Sequence, residues 1–291
     1  MEPIRIGIIG TENSHAVAAM ERFNVKRTIP GARVSVLCPG QGDTLEHARE
    51  IAEQGKAPHV VEDPEALLEL ADAVIIMNRH GGLHARYARL TLSADLPTFV
   101  DKPLTCDVAE AEELVALSRQ RDVWLQSWST VWQGSSFREL FRTAEEEIGP
   151  VSAGLCAGPC QLDSEHGGVF FYGIHAVEMM LQGFGYDVAS LHAHREGPHA
   201  TVTVAMASGK LVTLQLLGEG YCFQALCHGP GGSRYAALDT GDAYDRGFQA
   251  MLRGFTVGER LLTDDQLVQP VRVLAAIARS LEDESVISLT P

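Results

Sequence analysis

Apolar and polar positions follow two different rhythms along the chain. Up to about residue 125, short β-forming runs alternate with stretches of helical period. Ile4-Arg5-Ile6-Gly7-Ile8-Ile9-Gly10 reads as a buried strand meeting a tight turn. Asn13 or Ser14 then caps a helix whose apolar face is expected to hold Val17, Met20 and Phe23. Further strands are predicted at 33–38, 59–61, 73–77 and 98–100, with helices at 44–54, 64–70, 84–92 and 108–119. Strict strand–helix alternation implies an α/β unit built on a parallel, doubly wound sheet.

After Val123-Trp124-Leu125 the rhythm changes. A helix at 136–147 leads into strand-like runs at 152–156, 190–194, 200–207 and 210–218, interrupted by one helix near 174–181. Ser208-Gly209 between the last two runs is a hairpin signal. Helices near 245–254 and 266–281 close the chain. The expected organisation is a first domain over 1–125 and an α+β domain with a mostly antiparallel sheet over 126–291. The last helix is free to pack back on the first domain.

Length and composition narrow the function. At 291 residues the chain suits two domains, each able to bury a core. A formal net charge of −15 argues against a nucleic-acid surface, so an anionic ligand needs locally arranged positive charge. The 6 cysteines form no C-x-x-C pair, which suggests reduced thiols in a cytoplasmic protein. Met1-Glu2-Pro3 runs straight into a strand, so no signal peptide is expected. No apolar run reaches the roughly 18 residues that span a bilayer.

The stretch Thr98-Phe99-Val100-Asp101-Lys102-Pro103 concentrates the candidate chemistry. Pro103 removes a backbone donor and keeps Lys102 out of helical geometry, so the strand stops with its lysine extended. Ligands of open α/β sheets sit beyond the carboxyl ends of the strands, where a lysine can hold a hydroxyl or carbonyl oxygen. Arg79 and His80 follow the fourth strand at the same edge. His175 and Glu178 share a helix face, and Asp163, Glu165 and His166 precede Gly167-Gly168. Their spacing matches no strong zinc motif, and no metal site is assigned. His192, His194 and His199 read as solvated, and Trp124, Trp128 and Trp132 as packing near the domain junction.

Four features together resemble the Gfo/Idh/MocA oxidoreductases, the glucose–fructose oxidoreductase and inositol dehydrogenase family. They are the first strand up to Gly10, the helix start Leu83-His84-Ala85, Asp101-Lys102-Pro103 in place of Glu-Lys-Pro, and Gly173-x-His175 after Gly167-Gly168. The resemblance implies a Rossmann domain binding NAD or NADP, and a sheet domain that often builds a homo-oligomer interface. It implies a small-molecule substrate such as a sugar or polyol, with Lys102 and His175 as catalytic residues. With Arg79 and His80 added from their place at the sheet edge, the candidate cofactor site comprises Gly7, Gly10, Thr11, Glu12, Asn13, Ser14, His15, Arg79, His80, His84, Asp101 and Lys102.

The chain departs from that pattern in places that matter. The fingerprint G-x-G-x-x-G reads Gly10-Thr11-Glu12-Asn13-Ser14-His15, which puts a carboxylate where two phosphates are expected. The second strand ends Leu37-Cys38-Pro39-Gly40, with no acid 20–30 residues past the fingerprint. Phe171 stands where the family has its catalytic aspartate. These losses keep two rival readings open, a binding or regulatory protein on the same fold and a redox-neutral enzyme such as a lyase.

Overall fold

The isoleucines at positions 6, 8 and 9 are buried on both faces of their strand because β1 (Ile4–Ile9) lies inside a parallel sheet. The computed structural model describes residues 2–289. Along the first unit, β1 is followed by α1 (Ser14–Met20), β2 (Ala32–Cys38), α2 (Leu45–Gly55), β3 (His59–Val60) and α3 (Pro64–Leu68). Then come β4 (Ala73–Ile76), α4 (His84–Ser93), β5 (Thr98–Val100), α5 (Val108–Arg121) and β6 (Leu125–Ser127). The strands pair in the order β3-β2-β1-β4-β5-β6, and every pairing is parallel. The order reverses between β1 and β4, so the ligand crevice of such a sheet opens beyond their carboxyl ends.

Local chemistry sets the boundaries. Asn13 caps α1 by accepting from the His15 amide at 3.1 Å, Thr44 caps α2, and Asp107 caps α5. Val17 is not on the buried face of α1 as expected; it is 47% exposed. Counting from the Asn13 cap, Ala16, Ala19, Met20 and Phe23 fall on the core side, at i, i+3, i+4 and i+7.

The second unit contains α6 (Ser135–Ile148), β7 (Ala153–Pro159), α7 (Val169–Phe184), β8 (Val188–Glu196), β9 (His199–Met206) and β10 (Leu211–Leu217). Its sheet continues with β11 (Gln224–Gly229) and β12 (Gly232–Ala237). After α8 (Ala243–Val257) and α9 (Asp264–Asp283) the short β13 (Ile287–Ser288) completes it. The order is β12-β11-β7-β10-β9-β8-β13, and only the β7–β10 pairing is parallel. Helix α7 packs on β7 and β10. Gly154 lets the Phe184 ring lie directly on β7, in space that a Cβ would fill.

The division of the chain differs from a single cut after residue 125. The first unit runs to Trp128 and takes back Asp245–Leu267, so α8 returns to it rather than the last helix. Trp124 shows why: its ring packs on Phe255 at 5.2 Å and its Nε1 donates to the Glu259 carbonyl at 2.8 Å. Gln126 adds bonds to Leu261 and Leu262. Ser129–Tyr244 and the residues from Val268 onward form the second unit.

Candidate functional site

In the first unit the candidate residues gather where β1, β4 and β5 end. Gly10 has φ +93°, and an added Cβ would drive into the Asn78 backbone. This keeps the tight turn of a dinucleotide fingerprint. Gly7 has a different task from the expected cofactor contact. A Cβ there would sit 2.6 Å from Leu67 Cδ2, so Gly7 lets α3 close on β1. Thr11 is buried, with its hydroxyl donating to Asp43. Ser14 is exposed at the start of α1, while Asn13 caps it.

Glu12 reaches across the reversal of strand order. Its Oε1 accepts from the Arg79 amide at 2.8 Å and lies 3.4 Å from Asn78 Nδ2. Its Oε2 is buried with no hydrogen-bond partner among the described residues. Burial pushes the carboxyl above its ordinary range, and the bonds from Arg79 and Asn78 only partly oppose that. Arg79 therefore serves the turn through its backbone, and its side chain is exposed. His80 caps the short 3₁₀ turn at Gly81–Leu83 by accepting from Gly82 at 3.0 Å.

Asp101 and Lys102 are 6% and 7% exposed beyond β5. The Lys102–Pro103 peptide is cis. Asp101 Oδ2 lies 2.8 Å from His15 Nδ1 and 3.3 Å from Asn13 Nδ2. Burial works to raise the Asp101 pKa, but the charges of His15 and Lys102 outweigh it and hold the carboxyl well below the usual range. His84 is fully buried, with its ring nitrogens 2.7 Å from the Pro103 and Asn78 carbonyls. It thus ties the ends of β4 and β5 together. Burial pushes its pKa down, against those two carbonyls.

In the second unit His175 and Glu178 lie on one face of α7, both buried. His175 Nδ1 is 2.6 Å from Ser129 Oγ. Glu178 Oε2 accepts from the Ser129 amide at 2.7 Å and from Trp132 Nε1 at 2.9 Å. The rings of Tyr172 and Phe223 flank His175, each with its centroid 5.4 Å away. Phe171 packs on Tyr172 and His166. Asp163 pairs instead with Arg195 Nη1 at 2.8 Å. Among the described residues, no group of His, Cys, Asp and Glu gathers to hold a metal ion. Nor is any helix among them long and apolar enough to cross a membrane.

Two contributors were not legible from the sequence. Asp43 lies 32 residues after Thr11, past the end of the second strand where an acid was sought, and the loop after β2 brings it onto Thr11 and His47. The one hint was an acid directly before the Thr44 cap. Ser129 follows β6 with no motif around it.

A dinucleotide fits the β1 turn on the evidence of Gly10, whose positive φ and missing Cβ let the chain bend tightly against the Asn78 backbone. It fits Glu12 only when that carboxyl is protonated or turned away from the Arg79 amide.

Residues 4–128 match the oxidoreductase family model GFO_IDH_MocA, NAD-binding Rossmann fold. The uncharacterized oxidoreductase YhhX of Escherichia coli (strain K12) is 24% identical over 176 residues, 53% of this chain. The chain spans about half the length of that relative, 49%. Myo-inositol 2-dehydrogenase from Lactobacillus plantarum superposes with a TM-score of 0.87 at 15% identity, covering 99% of this chain and 100% of that one. Myo-inositol dehydrogenase from Lactobacillus casei, in complex with NAD(H) and myo-inositol, gives 0.85 at 16% identity, covering 100% and 98%. At these identities the structural likeness is one of fold.

Proposed function

We propose that this chain, whose Rossmann domain belongs to the Gfo/Idh/MocA oxidoreductase family, is an NAD(P)-dependent oxidoreductase acting on a hydroxylated small molecule such as a sugar or polyol. The observation that carries the reading is Lys102. A lysine 7% exposed beyond the carboxyl end of a parallel strand is costly unless its charge has work to do there. The Asp101 carboxyl beside it is held well below the usual range, and an ammonium placed there can polarise a substrate oxygen. His175, on α7 of the second unit, is the general acid/base of this reading. NAD, when bound, supplies the hydride acceptor, held at the turn of Gly10, Thr11, Asn13 and the Arg79 amide. The solved relative that holds NAD(H) and myo-inositol supports the polyol class.

Glu12 supports a second reading, a binding or regulatory protein whose own carboxylate occupies the phosphate turn. Calorimetric titration with NAD(H) and NADP(H) separates the two, because the oxidoreductase binds at least one at sub-millimolar concentration. The decisive experiment for the first reading screens polyols and sugars with NAD⁺ and NADP⁺, then compares wild type with Lys102→Met on the best substrate. A loss of orders of magnitude in kcat/KM with an unchanged melting temperature is expected. An unchanged rate removes Lys102 from the chemistry and the assignment with it.

A further inference from the structure

The buried Ser129 hydroxyl has two hydrogen-bond partners, and they are not equivalent. The Val131 amide, 3.2 Å from Oγ, can only donate. His175 Nδ1, 2.6 Å from Oγ, can donate or accept according to its tautomer. Ser129 is 0% exposed, so water does not reach its hydroxyl hydrogen. That hydrogen must find an acceptor or remain unsatisfied in the interior, at a cost of about 1–3 kcal/mol. His175 Nδ1 is the acceptor it has.

We infer that Ser129 is a positioning residue that fixes His175 as the Nε2–H tautomer, so that the imidazole meets the substrate oxygen as a hydrogen-bond donor. This rests on the reading of His175 as the acid/base group and states the form in which it waits. With Nδ1 accepting from Ser129, the lone pair of the neutral ring faces the serine and the proton sits on Nε2. To take a proton at Nε2, the ring must first carry its own proton on Nδ1, which reverses the Ser129 contact and leaves the hydroxyl hydrogen without its acceptor. Ser129 thereby supplies from the far side of the ring an orienting contact that Phe171, an apolar residue one helical turn before His175, cannot. Glu178 holds the serine in place, since it accepts from the Ser129 amide and from Trp132 Nε1 and so fixes the backbone that carries the hydroxyl.

The test is the ring ¹⁵N spectrum of His175 in the resting protein, assigned by subtraction of a His175→Gln spectrum and followed with pH. In the neutral ring, wild type is expected to show one protonated nitrogen, Nε2, and one unprotonated nitrogen, Nδ1. Ser129→Ala is expected to lose this single pattern and show averaged tautomers, whereas Ser129→Thr, which keeps the hydroxyl, retains it. An Nδ1–H pattern in wild type overturns the inference, as does an Nε2–H pattern that survives in Ser129→Ala. If the alanine variant does not fold, the wild-type spectrum still decides. No substrate or cofactor enters the measurement. A protein that shows the tautomer but never oxidises a polyol loses the functional reading and not this one.

Discussion

His15 Nδ1 lies 2.8 Å from Asp101 Oδ2, joining the start of α1 to the end of β5. The histidine occupies the third fingerprint position, where a glycine would let helix and strand close together. Here a short side-chain contact does the joining, and Asn13 adds a longer one to the same oxygen. The turn that should receive phosphate and the loop that carries Lys102 are therefore one charged cluster. A change at either end is felt at the other.

Removing the shared carboxylate tests that cluster. Asp101→Asn removes the buried carboxylate beside His15 and Lys102 and is expected to destabilise the protein by about 3 kcal/mol at pH 7. The Asp101 pKa is depressed in the folded state, so its contribution is complete above the ordinary carboxylate pKa of about 3.9. It fades as pH falls from there toward the folded value. Urea denaturation at pH 7 and pH 3.5 should show the gap between variant and wild type narrowing at the lower pH. A gap of the same size at both would mean that the charge of Asp101 contributes nothing.

Glu12 has the opposite sign. Its folded pKa is raised, so the folded state favours the protonated carboxyl, and that advantage is lost as pH rises through the raised value. Dinucleotide binding should follow the same course, strengthening as pH is lowered. Two like charges about 4 Å apart at an effective dielectric near 20 repel by roughly 4 kcal/mol, an upper bound that rotation of the side chain relieves. Glu12→Gly is expected to tighten NAD⁺ binding at least about tenfold, or roughly 1.4 kcal/mol, and to abolish the pH trend. Adding His15→Gly should not tighten it further, because that change breaks the pair with Asp101. Equal binding by all three proteins, measured by calorimetry at pH 6 and pH 8, would make Glu12 a bystander.

Gly10 should tolerate no side chain. Its φ of +93° and the nearby Asn78 backbone make Gly10→Ala both strained and crowded. A loss of about 2 kcal/mol is expected, visible as a lower thermal midpoint. A midpoint within error of wild type would show that the turn relaxes freely.

The fold was legible because period and burial agree. The alternation up to residue 125 marks the parallel sheet, since strands such as Ala73–Ile76 are apolar throughout and buried on both faces. β11 and β12 were not found. Their residues, Gln224–Gly229 and Gly232–Ala237, include no β-branched side chain, and partner strands rather than propensity hold them in place. The site was legible where one residue carries a constraint by itself, as with Lys102 before Pro103 and Gly10 after β1. It was illegible where function depends on what a side chain reaches. Nothing in the sequence says that Glu12 turns back onto the Arg79 amide, that His15 finds Asp101, or that Ser129 meets His175 46 residues away.

The last expectation concerns assembly through the second sheet. Val202, Val204 and Met206 of β9 face inward with Val212, Leu214 and Leu216 of β10, all at most 4% exposed, on the side of the sheet that receives α7. The apolar row of β9 is therefore consumed by the unit's own core. The opposite face holds Thr201, Thr203, Leu211 and Gln215 on adjacent strands, with Leu211 52% exposed. It is broad, short of charge and uncovered within its unit, which suits a second copy of the chain better than water. A homo-oligomer formed there should fail when charge is placed at its centre. Thr203→Arg/Gln215→Arg alters two surface positions and should leave folding within about 0.5 kcal/mol per site. Light scattering at micromolar concentration is expected to give a multiple of the 31.5 kDa chain mass for wild type and a smaller mass for the variant. A wild type that scatters as a single chain, or a variant that keeps its assembled mass, removes this face as the interface.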